Sequence, residues 1–161
     1  MKFTTAIFAI AAATGALAAP AAEIIEDRGL FSSTVTCKPK LAGKAKSFKV
    51  SLDTAKSEAR RVGLAPGKSG DPHRYFAGDG IHWGVDGCDK ASAILLEYPI
   101  YQVGKNAQWE ENTLTAAQPG GPTPLRTVFA NAAGGVIFCG VMTHSTVDAE
   151  NRGHDFFERC T

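Results

Sequence analysis

Apolar residues follow two different periods along this chain, and turn signals separate them. Leu52, Ala55, Ala59 and Val62 recur at i, i+3, i+7 and i+10, one stripe of an α-helix. Ser51 precedes the stripe as a hydroxyl N-cap, and Gly63 follows it as a residue free to take the left-handed conformation that ends helices. The pattern predicts one helix over residues 52–62, with its lysines and arginines on the outer face. Elsewhere the reading is extended. Ser33 to Cys37 reads as an edge strand and Ser47 to Val50 as its hairpin partner, with Gly43 in the turn between. Further strand-like pieces run over residues 74–76, 81–85, 93–98, 126–130, 136–143 and 155–157. The run from Val136 to Met142 is apolar, β-branched and aromatic, with Cys139 in its middle and His144 at its exit. It predicts a buried central strand. Gly- and Pro-rich stretches such as Gln118 to Pro124 connect the pieces. One helix followed by a succession of strands, with no repeat and no linker, predicts a single α+β domain: a helix packed on an antiparallel sheet, preceded by an N-terminal β-hairpin.

The first residues change the picture. Met1-Lys2 is a basic start, residues 3–13 are largely apolar, and Ala16-Leu17-Ala18 offers a small-residue cleavage site. This predicts a secretory signal peptide over residues 1–18, too short for a membrane anchor, and a secreted, extracellular protein. Residues 19–28 show no periodicity and read as a pro-segment or a tail, which leaves residues 29–161 as the domain. No later run is long enough to span a bilayer, so no membrane partner is expected.

Without Lys2 the chain carries 16 basic and 16 acidic residues. Nine of the basic residues fall between Lys38 and Lys68, where there are two acids, so the first third can attract anions. Four cysteines, Cys37, Cys88, Cys139 and Cys160, in a secreted domain predict two disulfides, and three pairings are open. No C-x-x-C spacing is present, which argues against zinc.

Three strand-like segments each hold one ionisable residue in apolar surroundings: Glu97, Arg126 and His144. His73 follows Pro72 on a stiff extended segment. A carboxylate and a histidine can share acid–base work, and an arginine fork matches phosphate oxygens. The set points to metal-free phosphodiester cleavage with no cofactor.

The segments Asp71-Pro-His-Arg-Tyr75, Leu95-Leu-Glu-Tyr-Pro-Ile100, Leu125-Arg-Thr-Val-Phe129, Phe138-Cys-Gly-Val-Met-Thr-His-Ser145 and Phe157-Glu-Arg-Cys-Thr161 resemble, in this order, the signature blocks of the fungal extracellular guanyl-specific ribonucleases and the sarcin-type ribotoxins. The resemblance implies a twisted antiparallel sheet with the site on its concave face. It implies Glu97 as general base toward the ribose 2′-OH, His144 as general acid, His73 as the cationic helper and Arg126 as the phosphate holder. Phe157 would line the phosphate subsite, Tyr75 would stack on the base, and Asp79 would read guanine. The expected reaction is cleavage of single-stranded RNA, after guanosine, through a 2′,3′-cyclic phosphate, by a monomer; DNA lacks the 2′-OH and is not cut. The resemblance also implies the pairing Cys37–Cys160 and Cys88–Cys139.

Asp71 stands where the family has a tyrosine that donates to the phosphate. An ionised aspartate cannot donate and repels a phosphate, which predicts lowered activity, altered product release or a compensating neighbour. It also keeps open a ribonuclease-like binding protein with weakened catalysis. The 24 positions from His73 to Glu97 include only Arg74 and Lys90 as bases, closer to the general ribonucleases than to the ribotoxins with their long basic loop. The Leu-Leu-Glu and Phe-Cys-Gly blocks are the ribotoxin-like ones.

Overall fold

The structure, a computed structural model, describes residues 33–161; the signal peptide and the segment 19–28 lie outside these residues. Nine strands and one α-helix follow in the order β1 (Thr34–Cys37), β2 (Lys40–Leu41), β3 (Lys44–Ala45), β4 (Phe48–Ser51), α1 (Leu52–Arg61), β5 (His73–Tyr75), β6 (Ile94–Pro99), β7 (Leu125–Ala132), β8 (Gly135–Val147) and β9 (Gly153–Arg159). The outer pair β1 and β4 is antiparallel and encloses the small hairpin β2–β3, which turns on Ala42 and Gly43 at positive φ. The main sheet runs β3-β2-β8-β7-β6-β5, and β9 pairs with β8.

Helix α1 forms where its stripe and caps predict. The Ser51 Oγ accepts from the Thr54 amide at 3.2 Å, and Gly63 follows the C-cap at φ 68°. Ala55, Ala59 and Val62 are buried against the sheet. Small alanines let the helix backbone approach closely, and the Thr127 hydroxyl of β7 donates to the Ala55 carbonyl at 3.0 Å.

Because successive strand residues point to opposite faces, each central strand serves two cores. Leu96, Tyr98, Phe129 and Val141 pack under the helix with Val50 and Trp109. Their chain neighbours Leu95, Val128 and Met142 pack on the other face with Tyr75, Trp83 and Cys139. Glu97, Arg126 and His144 lie on that second face. Cys37–Cys160 ties β1 to the C-terminus across 123 positions, and Thr36 and Thr161 exchange backbone hydrogen bonds beside it. Cys88–Cys139 ties the loop after β5 to the middle of β8.

Three expectations need correction. Residues 81–85 are not a strand: the amides of Trp83, Gly84 and Val85 donate to the Asp89 carboxylate at 2.7, 2.7 and 3.3 Å, so they have no ladder to join. The sheet is mixed rather than wholly antiparallel, since β2 runs parallel to the end of β8. His144 does not end its strand, because β8 continues to Val147 on its pairing with β9. Among the described residues no helix is long and apolar enough to cross a membrane.

Candidate active site

Register brings the four ionisable residues to one face. His73 on β5 is directly opposite Glu97 on β6. Pro99, two positions on, is opposite Arg126 on β7, which is opposite Met142 on β8. His144 is two positions beyond Met142 and opposite Phe157 on β9. Directly paired residues share a face, and so do residues two apart, so His73, Glu97, Arg126, His144 and Phe157 all project to the same side.

His73 is clamped between two carboxylates. Its Nε2 lies 2.6 Å from Glu97 Oε1 and its Nδ1 2.9 Å from Asp71 Oδ1. A carboxylate on each nitrogen requires each nitrogen to donate, which is the imidazolium. Its pKa is raised to about 9, chiefly by the hydrogen bond to Asp71 and then by the one to Glu97. Asp71 itself is 6% exposed. Its carboxylate is paired with His73.

Glu97 and Arg126 each keep a buried, unused atom. Glu97 Oε2 has no hydrogen-bond partner, nor has Arg126 Nε. The Arg126 Nη1 donates to the carbonyls of Thr123 and Leu125, both at 2.9 Å, which fixes the guanidinium plane. Burial lowers the Arg126 pKa, and the nearby charges of Glu97 and Asp71 oppose that. One free acceptor and one free donor on the same face suit a group with an acidic proton beside an anion.

His144 is held from three sides. Its Nδ1 donates to the Asp155 carbonyl at 3.1 Å, which leaves Nε2 for chemistry. The Phe157 ring lies 4.1 Å away, centroid to centroid. Gly153 closes the third side: a Cβ there would stand 2.1 Å from His144 Cδ2. Burial first, and then the charge of Arg126, lower the His144 pKa below its usual 6.5.

Tyr75 and Asp79 lie beside this group in a cleft that also includes His73, Glu97 and Phe157. Tyr75 is buried, edge-on to both Trp83 and Phe157, and its hydroxyl donates to Asp79 Oδ2 at 3.1 Å. Asp79 Oδ1 accepts from the Phe157 amide at 3.1 Å, so this carboxylate also fastens the loop after β5 to β9. The candidate residues on strands therefore share one face of the sheet, from β5 across to β9, with Asp79 on the loop beside them. Sequence reading missed the holding roles of Asp71, Gly153 and Asp155. Asp71 had a signal, since it stands two positions before His73 in an extended segment and so shares its face. Gly153 and Asp155 had none, because only the pairing of β9 with β8 brings them to His144.

The profile of the ribonuclease family matches residues 37–161. The solution structure of hirsutellin A from Hirsutella thompsonii is similar at 62% identity and TM-score 0.71, over 80% of this chain and 98% of that one. Restrictocin, described as a highly specific Aspergillus ribotoxin, shares the fold at 21% identity and TM-score 0.63, over 80% and 99%. The cytotoxic ribonuclease alpha-sarcin does so at 21% and 0.58, over 80% and 99%. No curated protein matches the chain. The kinship makes this chain a secreted, metal-independent endoribonuclease, and its fold is consistent with transesterification. The chain belongs to the ribonuclease family, with hirsutellin A as a relative at 62% identity.

Proposed function

We propose that Glu97 and His144 are the base and acid of this ribonuclease, with His73 and Arg126 holding the charge between them. The observation that carries this reading is the pair of unused buried atoms, Glu97 Oε2 and Arg126 Nε, on the face that also bears His144. Glu97 Oε2 takes the ribose 2′-OH proton, and the 2′-oxygen attacks phosphorus. Arg126 and the His73 cation stabilise the charge that builds on the phosphoryl oxygens. His144 Nε2 gives its proton to the departing 5′-oxygen, and a 2′,3′-cyclic phosphate remains. In the second step His144 takes a proton from water and Glu97 returns one to the 2′-oxygen, which yields a 3′-phosphate.

The base of the cleaved nucleotide occupies the cleft of Tyr75 and Asp79. Each Asp79 oxygen has a second lone pair beyond its protein contact, enough to accept from guanine N1–H and its amino group. Tyr75 contributes as a wall of this cleft, since its ring is already packed edge-on between two aromatics. Digestion of a defined single-stranded RNA in EDTA tests the assignment. Expected are cuts after guanosine ending in cyclic phosphate, a loss of at least about a hundredfold in His144→Gln and Glu97→Gln, and relaxed base choice in Asp79→Asn. Full activity in either of the first two variants overturns the roles.

A ribosomal target is the second reading, favoured by the fold shared with the ribotoxin restrictocin. It predicts one discrete ribosomal RNA fragment from intact ribosomes at low enzyme; a smear of products speaks for a general nuclease.

A further inference from the structure

Phe76 is 79% exposed, the most exposed large apolar side chain among the described residues. It stands at the end of β5, three positions from His73, before a turn in which Ala77 takes φ 54°. One side of its ring is covered by the Arg74 guanidinium, 5.1 Å from the centroid. With so much of the ring exposed, the other side is open. A solvated aromatic ring backed by an arginine is a recurring surface on which a nucleobase stacks, because every base has a π-face and the cation strengthens the stack.

Its position decides what it serves. Phe76, Arg74, Tyr75 and Ala77 line both the catalytic cleft and a second groove of about 400 Å³. Phe76 is thus the ridge between the two. The second groove adds the His82 imidazole and the cationic Lys90 over a floor that includes Trp83 and Leu95. Asp89 also lines it, but its carboxylate is committed to three backbone amides and lies 3.6 Å from His82 Nδ1. Lys90 pairs with Asp86 at 3.0 Å in an exposed contact that yields readily to a phosphate.

We propose that Phe76 is the stacking platform for the base on the 5′ side of the cleaved nucleotide, and that the groove behind it receives that nucleotide. The proposal rests on the roles assigned above, because they set the strand's direction. His144 protonates the 5′-oxygen of the 3′ product, so that product leaves at the His144 end. Neither the base cleft nor the second groove includes His144, so Phe76 marks the opposite end.

The test uses the intact protein and an oligonucleotide with 2′-deoxyguanosine at the cleavage position, which cannot be cut. A 2-aminopurine on the 5′ side of that guanosine reports stacking by its fluorescence. Quenching is expected in the wild type and in Phe76→Trp, with loss of the quench and about five- to tenfold weaker binding in Phe76→Ala. A 2-aminopurine on the 3′ side is expected to be indifferent to Phe76. In cleavable RNA, kcat/KM is expected to fall by about the same factor in Phe76→Ala, and by nothing when the 5′ neighbour is abasic. Equal quenching and affinity in Phe76→Ala, or an undiminished loss on the abasic RNA, overturns the platform. If the wild type cuts no RNA while quenching still depends on Phe76, the catalytic assignment fails and the platform stands. Circular dichroism checks that this surface substitution leaves the fold intact.

Discussion

His73 draws its charge from a neighbour on each side, and that makes its ionisation a measurable part of both folding and catalysis. Its folded pKa, about 9, exceeds the ordinary 6.5. The stabilisation is therefore complete below about pH 6.5 and is lost as pH rises through about 9. Thermal melts across this range are expected to show wild type and His73→Gln converging by pH 9; a constant gap would refute the linkage. Asp71→Asn removes the larger of the two causes, so the His73 imidazole resonances, followed by NMR, are expected to titrate at lower pH. His144 has the opposite sign. In the acid role proposed for it, it must hold a proton, and its pKa lies below 6.5, so kcat/KM of the free enzyme is expected to begin falling with rising pH already below 6.5. Gly153 tests position without touching charge. Gly153→Ala pushes on the His144 ring and is expected to lower kcat at least about tenfold, since small misplacements of a catalytic group are costly. Its melting temperature is expected to change little, because the residue lies near an exposed turn. A variant that keeps full kcat would show that the ring tolerates displacement.

Between elements, the helix and the long connection from Ile100 to Pro124 share one polar junction. Glu58 accepts from Arg61 at 2.7 Å and from Gln108 at 2.6 Å, while Arg61 reaches Glu111 at 2.8 Å and the Tyr98 hydroxyl at 3.1 Å. Tyr98 passes the contact on to the Trp109 carbonyl at 2.8 Å, and burial pushes its own pKa up to about 12. Arg61→Leu leaves the buried Glu58 without its cation. Arg61 is itself 40% exposed, so the cost is expected at about 2 kcal/mol, below that of a fully buried pair, read as a lower urea midpoint at unchanged slope. No loss would mean that Gln108 alone satisfies the carboxylate. The helix was legible from its stripe and both caps because those signals lie within a dozen neighbouring residues. The segment 81–85 was not, because its apolar residues look extended while its amides are claimed by Asp89, a contact between side chain and backbone that no periodicity records.

Across the molecule, Cys37–Cys160 joins the first described strand to the last residues of the chain. Closing a loop of that length removes about 5 kcal/mol of disorder from the unfolded state in the chain-entropy model. The double variant Cys37→Ser, Cys160→Ser is expected to lose stability of this order and to lose cleavage on mild warming before the wild type does. β9, which carries Phe157 and Gly153, ends beside that bond. Unchanged melting would mean that the pairing of Thr36 with Thr161 already holds the two ends together.

The sequence by itself determined the helix, most of the strands, the two-disulfide framework and the ionisable residues of the site. Each of these is written locally, as a period, a cap, a cysteine count or a family block. Only the tertiary structure decided that Asp71 pairs with His73, that His144 lies within a strand against Gly153 and Asp155, and that Asp79 is already fastened to β9. The physical reason is the same in each case. A charge acquires its effect from what stands within about 4 Å of it, and here those neighbours come from strands far apart in the chain, brought together by register.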